Sequence, residues 1–244
     1  MPLNSKLLQT VRDGEILEVM VGLHWTAVLA EVEGDLQCGL ASTLQAPHDL
    51  HGVNDVTGAG SLTELSAHDL TSWSFNTSSP VQKSIGMAAL NALLPKPGSD
   101  SWIEANAEKI ITEKAAGGQV AIIGDFPFIS RLRPHADSIT VIDRSSHAGV
   151  LPEDAAKDVL PRSDFIAITG MAAIDQSLEG LLALCPDDSI VMVLGPSTPL
   201  SPVLFDYGVD YISGSIVIHH EAVLRTIAQG ANFRQVHRAG VQLV

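Results

Sequence analysis

Four short stretches of the sequence carry groups that could bind a ligand, and each directly follows a run of apolar residues. In an open parallel sheet, ligands bind beyond the carboxyl ends of the strands. Carboxylates there would bind a cation or the hydroxyl groups of a ligand, whereas a serine and threonine turn would bind an anionic group. The candidate ligand-binding residues are Gly124, Asp125 and Phe126; Asp143; Thr169 and Gly170; and Gly195, Pro196, Ser197 and Thr198.

The first two stretches have part of the spacing of a dinucleotide site. Asp143 stands nineteen residues after Gly124, where dinucleotide-binding folds place an acid on a ribose diol. However, the expected Gly-x-Gly-x-x-Gly turn is replaced by Gly124-Asp-Phe-Pro-Phe-Ile129, in which Asp125 would repel a pyrophosphate. The sequence therefore argues against NAD. It leaves two interpretations open: another small ligand, or a glycine that only permits the turn.

The fourth stretch predicts a capped helix. Ser197 or Thr198 is expected to cap a helix that begins near Pro199. Backbone N–H groups at that helix start would favour a carboxylate or a phosphate. Alternatively, the two hydroxyl groups satisfy these N–H groups and nothing else binds there.

Nine histidines raise the question of a metal site. His48 and His51 stand three residues apart, and the stretch His219-His-Glu221 follows the last apolar run. Neither has the paired-cysteine or His-Glu-x-x-His spacing of a well-defined metal site, so solvated or capping histidines are the favoured interpretation. Cys38 and Cys185 are too few for a four-thiolate zinc site and are predicted to be buried. The sequence contains no Gly-x-Ser-x-Gly motif, so it does not indicate a hydrolase.

Apolar runs in the second part of the chain would position the four stretches. They recur at the spacing of a strand plus a crossover helix, and they are continuous, as in strands that are covered on both faces. The sequence therefore predicts an α/β fold with a doubly wound, mainly parallel, Rossmann-like sheet, in which the first run passes through Gly124 into a helix started by Pro127. The runs are residues 120–123, 139–142, 165–168, 190–194 and 211–218.

The first part of the chain predicts a small α+β unit. Short strands over 15–21, 26–32 and 36–41 suggest an antiparallel meander, with a tight turn at Gly34-Asp35. Residues 45–60 are expected to form a loop, and Ser61 is expected to cap a helix over 61–70.

A second helix and a domain boundary follow. Ser79 and Pro80 predict the start of this helix, and the stretch Pro95-Lys-Pro-Gly98 predicts its end. This stretch marks the boundary between domains 1–98 and 99–244. Trp73 and Asn76, just before the second helix, are predicted to approach the strand ends from the first domain, although interdomain packing is the alternative for this aromatic segment.

Composition excludes several classes of partner. A formal net charge of −14 would repel nucleic acid, and no Lys/Arg cluster offsets this repulsion. No apolar run approaches the roughly 20 residues of a membrane span, and no signal peptide is recognisable. The sequence predicts a cytoplasmic protein that binds a small-molecule or metal ligand, and it is compatible with a homo-oligomer.

Several motifs resemble one family of bacterial and archaeal proteins, which is described as "putative heavy-metal chelation". The resemblance covers almost the whole chain in the right order, and its longest motif is the most specific. The motifs are Leu70-Thr-Ser-Trp-Ser74, Ser84-Ile-Gly-Met-Ala-Ala-Leu-Asn-Ala92, Ile123-Gly-Asp-Phe-Pro127, Leu160-Pro-Arg-Ser-Asp164, Ile168-Thr-Gly170 and Leu194-Gly-Pro-Ser-Thr-Pro-Leu-Ser-Pro-Val-Leu-Phe205.

This resemblance implies an enolase N-terminal-like domain followed by a Rossmann-like domain. It also implies a role in handling heavy or transition metals, linked to metallo-cofactor or corrinoid metabolism, and it transfers no catalytic residue. The preferred hypothesis is a metal-handling protein with its ligand site in the interdomain cleft. The alternatives are an enzyme that acts on a small organic or nucleotide-like ligand without a metal, and a non-catalytic binding protein.

Overall fold

The computed structural model describes residues 1–46, 55–98, 102, 106–145 and 148–244, which form three β-sheets with helices packed around them. Within these ranges, no helix has the length and apolar character needed to cross a bilayer.

In chain order, the strands are β1 (Glu15–Val21), β2 (Trp25–Val32), β3 (Asp35–Ser42), β4 (Gln119–Ile123), β5 (Ser138–Ile142), β6 (Val150–Leu151), β7 (Phe165–Thr169), β8 (Ile190–Leu194), β9 (Tyr211–Ser213), β10 (Ser215–Val217) and β11 (Val241–Leu243). The α-helices are α1 (Leu3–Thr10), α2 (Ala67–Asn76), α3 (Pro80–Leu93), α4 (Ala107–Lys114), α5 (Ile129–Leu132), α6 (Ala156–Val159), α7 (Met171–Ile174), α8 (Leu178–Leu182), α9 (His220–Ala228) and α10 (Phe233–Gly240). Short 3₁₀ helices lie at Leu62–Glu64, Arg133–His135, Glu153–Ala155, Leu160–Arg162 and Pro202–Tyr207.

Strands β1, β2 and β3 form the predicted antiparallel meander. The turn between β2 and β3 is centred on Glu33 and Gly34, whose φ angles are both positive, at 55° and 89°. Two consecutive positive φ angles are typical of the type I′ turn, whose twist matches that of the strands it joins. The predicted centre at Gly34 and Asp35 is therefore wrong by one residue, because Asp35 already pairs with Val32 in the ladder.

Helix α2 begins later than the sequence predicts. The helix expected over 61–70 is wrong, because the hydroxyl of Ser61 donates a hydrogen bond to the Gly58 carbonyl and caps no backbone N–H group. The residue that caps α2 is Ser66, whose side chain accepts a hydrogen bond from the Asp69 amide at 3.0 Å.

Helix α3 begins as predicted and packs closely on the meander. The Ser79 side chain accepts a hydrogen bond from the Gln82 amide, and Pro80 occupies the first turn. A Cβ on Gly39 would lie 2.1 Å from the Ala88 carbonyl oxygen. Glycine at this position of β3 therefore allows the strand and the helix to approach backbone to backbone.

Strands β4 to β9 form one parallel six-stranded sheet in the order β6-β5-β4-β7-β8-β9. With β4 counted as the first strand, this is the order 3-2-1-4-5-6 of dinucleotide-binding folds. Its central strands are fully buried, for example at Ile122, Ala167 and Val193. The predicted fold class, an α+β part followed by a Rossmann-like sheet, is confirmed.

Two predictions for this sheet are wrong. The single strand expected over 211–218 is interrupted at Gly214, where an added Cβ would lie 2.7 Å from Leu200 Cδ2. Strand β9 therefore stays in the large sheet, while β10 pairs with β11. The helix expected from Pro127 begins only at Ile129, because residues 126–128 form a turn closed by the hydrogen bond from the Ile129 amide to the Phe126 carbonyl.

Apolar contacts run across the predicted domain boundary. One buried cluster joins α3, at Leu90, to β7 and β8, at Ile168 and Val193. In a second cluster, α9 and α10 pack against the meander, where the rings of Trp25 and Phe233 lie 5.0 Å apart. The end of the chain thus contributes to the core beside the first strands, and the division into 1–98 and 99–244 stays a prediction.

Candidate functional site

The strand order of the large sheet reverses at β4, so the carboxyl end of β4 is the switch point of the sheet. Strand β5 lies on one side of β4 and β7 on the other. In open α/β sheets the helices on the two sides of such a switch point diverge and leave a crevice in which ligands bind. The candidate site is therefore built from the segments that follow β4, β5 and β7.

The turn after β4 brings three of the predicted site residues together. Gly124 has a φ of +109°, and its amide donates a hydrogen bond to the Ile142 carbonyl at 2.8 Å. A Cβ on Gly124 would lie 3.0 Å from Thr169 Cβ and 3.3 Å from Phe126 Cε2. Phe126 in turn stacks on Phe128 at a centroid distance of 5.2 Å. Asp125 is exposed on this turn.

The turn after β8 brings a second set of predicted residues together. Gly195 has a φ of +118°, and its carbonyl accepts a hydrogen bond from the Thr198 amide at 3.0 Å. A Cβ on Gly170 would lie 2.4 Å from Thr198 Oγ1. The Pro196 carbonyl accepts a hydrogen bond from the Ser215 hydroxyl at 2.8 Å. This turn is therefore packed against its neighbours.

Ser197 connects this turn to the first part of the chain. The side chain of Ser197 is buried, and its Oγ accepts a hydrogen bond from the Ser42 amide at 2.9 Å. The Ser197 carbonyl also accepts a hydrogen bond from Asn91 Nδ2 at 3.1 Å. The hydroxyl is thus occupied by a contact between the two parts of the chain.

The prediction of a helix that begins near Pro199 is wrong. Residues 198–200 are not helical, and the next helical segment is the 3₁₀ helix Pro202–Tyr207, where Ser201 accepts a hydrogen bond from the Val203 amide. The prolines at 196 and 199 supply no N–H donor to such a helix start. The turn after β8 therefore does not form the predicted helical anion site.

Thr198 and Asn91 each have a buried side-chain oxygen without a hydrogen-bond partner in the described part of the chain. Both residues line a cavity of about 30 Å³, together with Cys38 of β3. This volume is enough for one water molecule. The small cavity is thus a feature of the packed contact between β3, α3 and the turn after β8.

Arg144 follows a predicted strand directly after Asp143, but the sequence assigned it no role. Its Nε donates a hydrogen bond to Glu153 Oε1, and its Nη2 lies 2.9 Å from Asp175 Oδ2. Asp175 follows β7 and α7, so the ion pair joins the segments on the two sides of β4. Its position directly after Asp143 was visible in the sequence, but its partners were not.

Electrostatics reinforces this arrangement. Partial burial of Arg144 acts to lower its pKa, but the hydrogen bond to Glu153 and the charges of Asp175, Glu153 and Asp143 outweigh this effect and raise the pKa above its usual value. Arg144 therefore stays a cation throughout the accessible pH range. A ligand carboxylate could replace Glu153 or Asp175 as its partner.

The first part of the chain reaches the site through α2. Gln176 adopts a positive φ of 70°, and its Nε2 donates hydrogen bonds to the carbonyls of Ser74 (3.3 Å) and Phe75 (3.2 Å). Gln176 directly follows Asp175, the partner of Arg144. The end of α2, which carries the predicted residues Trp73 and Asn76, is thereby held beside the site. Trp73 packs against the buried core and Asn76 is exposed.

A surface cavity of about 580 Å³ opens beyond the ends of β5 and β6. Asp143 lies in its wall, where Oδ1 accepts hydrogen bonds from the Ser145 amide (2.7 Å) and hydroxyl (2.6 Å). The cavity is lined by Asp143, Arg144, Ser145, Ala148, Val150, Leu151, Pro152 and Glu153.

The described residues do not fit a metal site made by the protein alone. Among them, no group of three or more His, Cys, Asp or Glu side chains could hold a metal ion. His48 and His51 lie outside the described residues. Burial and the charge of Glu18 raise the pKa of Cys38 to about 12, and burial raises that of Cys185 to about 11. Without a metal ion, both thiols therefore stay protonated at neutral pH.

Comparison with known proteins shows the family of this chain. Two family profiles, both described as "putative heavy-metal chelation", match residues 5–94 and 106–243. The chain belongs to this family. The resemblance identified from the sequence motifs is thus confirmed, and the family description supports metal handling without naming a metal, a ligand site or a reaction.

Relatives of this heavy-metal chelation family share the fold. An uncharacterised protein of Methanocaldococcus jannaschii is 22% identical over 224 residues, covering 89% of this chain and 85% of that protein. A crystal structure of a protein with unknown function from Desulfitobacterium hafniense DCB-2 gives a TM-score of 0.84 at 22% identity, covering 99% of this chain and 96% of that chain. Another, from Pyrococcus horikoshii, gives 0.78 at 20% identity, covering 99% and 98%. At these identities the structural likeness shows the fold alone.

Proposed function

We propose that this chain binds a small organic ligand that carries a transition or heavy metal ion, in the crevice beyond the carboxyl ends of β4, β5 and β7. Metallo-cofactors, including corrinoids, and their precursors belong to this class. The observation that carries the location is the ion pair between Arg144 and Asp175, which joins the segments on either side of the Gly124 turn. The family description supports the metal.

The donor groups favour a chelated metal over a bare ion. Asp175 and Glu153 are both engaged by Arg144, and the described residues contain no group of three metal donors. A metal ion bound here would therefore bring most of its ligands with it. The protein would recognise the organic part.

Arg144 is the residue best suited to that recognition. A guanidinium can bind a carboxylate through two parallel hydrogen bonds, and more than half of the Arg144 side chain is exposed (57%). A ligand carboxylate would replace Glu153 or Asp175 as its partner. Asp125 and Asp143 add negative charge on the same edge, which suits the cationic part of a metal complex.

A second candidate function is an enzyme that acts on a small organic or nucleotide-like ligand without a metal. The position of Asp143 favours this function. Asp143 follows β5, which is strand 2 in the order 3-2-1-4-5-6, and a residue at this position contacts the ribose in dinucleotide-binding folds.

Calorimetry on the metal-free protein tests the proposed function. Ni²⁺, Co²⁺, Zn²⁺ and Fe²⁺ would each be titrated as the bare ion and as the citrate complex. We expect the complexes to bind and Arg144→Gln to weaken their binding about tenfold or more, because a hydrogen bond to a charged group contributes about 1.5–3 kcal/mol. Arg162→Gln, an exposed position just before β7 at the opposite edge of the sheet, should bind like the wild type.

Two results would contradict the proposal. If no titrant binds more tightly than about 1 mM, the chain does not handle metals in this crevice. If the bare ions bind as tightly as their complexes, the chain itself supplies the metal ligands, and the chelate would not be what it recognises.

A further inference from the structure

We infer that the cavity beyond β5 and β6 binds a ribonucleoside whose 5′ substituent is neutral or cationic. The inference rests on the proposed function only in placing a ligand at this edge of the sheet. It names a chemical class that neither the family description nor the relatives suggest.

The cavity has the size and the lining for a nucleoside. Its volume of about 580 Å³ lies within the roughly 300–1,000 Å³ of small-molecule sites. Val150, Leu151 and Pro152 give it an apolar side on which the flat face of a base can pack. Leu151 lies on the edge strand β6 and is 41% exposed. A base stacked on this side chain would remove it from water.

Asp143 is placed to bind the ribose. Strands β5 and β6 are parallel, with Ile142 paired to Leu151, so Asp143 and Pro152 leave the sheet side by side. Oδ1 of Asp143 is held by the amide and the hydroxyl of Ser145. A carboxylate has four acceptor sites in all, enough to accept both hydroxyls of a ribose diol beside these two hydrogen bonds.

The same edge of the sheet disfavours phosphate. Dinucleotide sites bind the pyrophosphate at a glycine-rich turn and the N-terminus of the helix that follows it. Here the turn after Gly124 carries Asp125, and α5 has only four residues and begins five residues later. A phosphate at this turn would meet the Asp125 carboxylate without a helix N-terminus to offset the repulsion, whereas a neutral or sulfonium substituent would not be repelled.

A ligand series on the wild-type protein tests the inference without any mutation. Adenosine, guanosine, cytidine and uridine would be titrated first, followed by the 2′-deoxy and 3′-deoxy forms of the nucleoside that binds. We expect each deoxy form to bind about tenfold more weakly, because it leaves an acceptor of Asp143 unmatched. S-adenosylmethionine and ADP compare a cationic with an anionic 5′ substituent, and ADP should bind at least tenfold more weakly than S-adenosylmethionine.

Replacing the carboxylate tests the role of Asp143 directly. Asp143→Asn keeps an acceptor for the Ser145 amide and should lower the affinity for the ribonucleoside about tenfold, with little effect on the 2′-deoxy form. Asp137→Asn is the matched control, because Asp137 is exposed just before β5, at the opposite end of the same strand. Its affinities should equal those of the wild type.

The inference is overturned if no nucleoside binds, if the deoxy forms bind as tightly as the ribonucleoside, or if ADP binds more tightly than S-adenosylmethionine. These outcomes are separable from failure of the proposed function. Metal citrate complexes that bind without any nucleoside would refute only the nucleoside site. Nucleoside binding without any response to metal complexes would refute only the metal-bearing ligand.

Discussion

The turns after β4 and β8 begin alike and end in different surroundings. Each follows a buried strand and starts with a glycine of positive φ, +109° at Gly124 and +118° at Gly195. The turn after β4 faces the crevice, and its Asp125 is exposed. The turn after β8 is buried, and its Ser197 bonds to Ser42 and Asn91 in the first part of the chain.

This difference separates two roles that one local pattern can serve. At the edge of a parallel sheet, a glycine turn either leaves room for a ligand or lets another part of the chain approach. We conclude that the turn after β8 joins the two parts of the chain, while the turns after β4 and β5 remain accessible. Changes in the buried turn should therefore alter stability, and changes in the accessible turns should alter binding.

The largest effect is expected for Gly170→Ala, beside the buried turn. The new Cβ would lie 2.4 Å from Thr198 Oγ1 and 2.6 Å from the Thr198 amide nitrogen, so backbone must shift. We expect a loss of about 3 kcal/mol in the free energy of unfolding, measured by urea denaturation. Gly180→Ala is the control, because no atom lies within 4 Å of its added Cβ in α8, and it should stabilise the protein by up to about 1 kcal/mol. Equal effects of the two substitutions would contradict the close packing of the turn.

A smaller effect is expected for Ser197→Ala. It removes the acceptor of the Ser42 amide and should lower the free energy of unfolding by about 2 kcal/mol without weakening ligand binding. Ser145→Ala makes the same change in the accessible turn after β5, where the hydroxyl is exposed, and should change stability by less than about 0.5 kcal/mol. If Ser145→Ala proved the more destabilising variant, the roles assigned to the two turns would have to be exchanged.

The smallest effect at neutral pH concerns Cys38, which lines the cavity beside the buried turn and whose ionisation affects stability only at alkaline pH. Its pKa is about 12 in the folded protein, against about 8.5 in an unfolded chain. The protonated thiol therefore stabilises the fold fully below about pH 8.5, and this contribution is lost progressively as the pH rises towards 12. Urea denaturation between pH 8 and pH 10.5 should show a steeper loss for the wild type than for Cys38→Ala. If the free energy of unfolding fell equally with pH in both proteins, the Cys38 thiol would not be buried.

Local sequence signals predicted the elements of this fold well. The limits of β1 agree with the prediction, Ser79 and Pro80 start α3, and four of the five apolar runs lie in strands of the large sheet, while the run 211–218 is divided at Gly214. The helix expected over 61–70 was wrong because Ser61 and Ser66 carry similar capping signals, and only packing selects between them.

The sequence by itself determined most of the strands, the glycine turns after β4 and β8, and the family to which the chain belongs, because these depend on backbone preferences, burial periodicity and short motifs. The tertiary structure alone decided which glycine turn is buried and where Arg144 finds Glu153 and Asp175. It also brought Gln176 to the end of α2, more than 100 residues away in the chain. Such pairings depend on how distant segments pack, and no local pattern records whether a polar side chain will meet a partner or solvent.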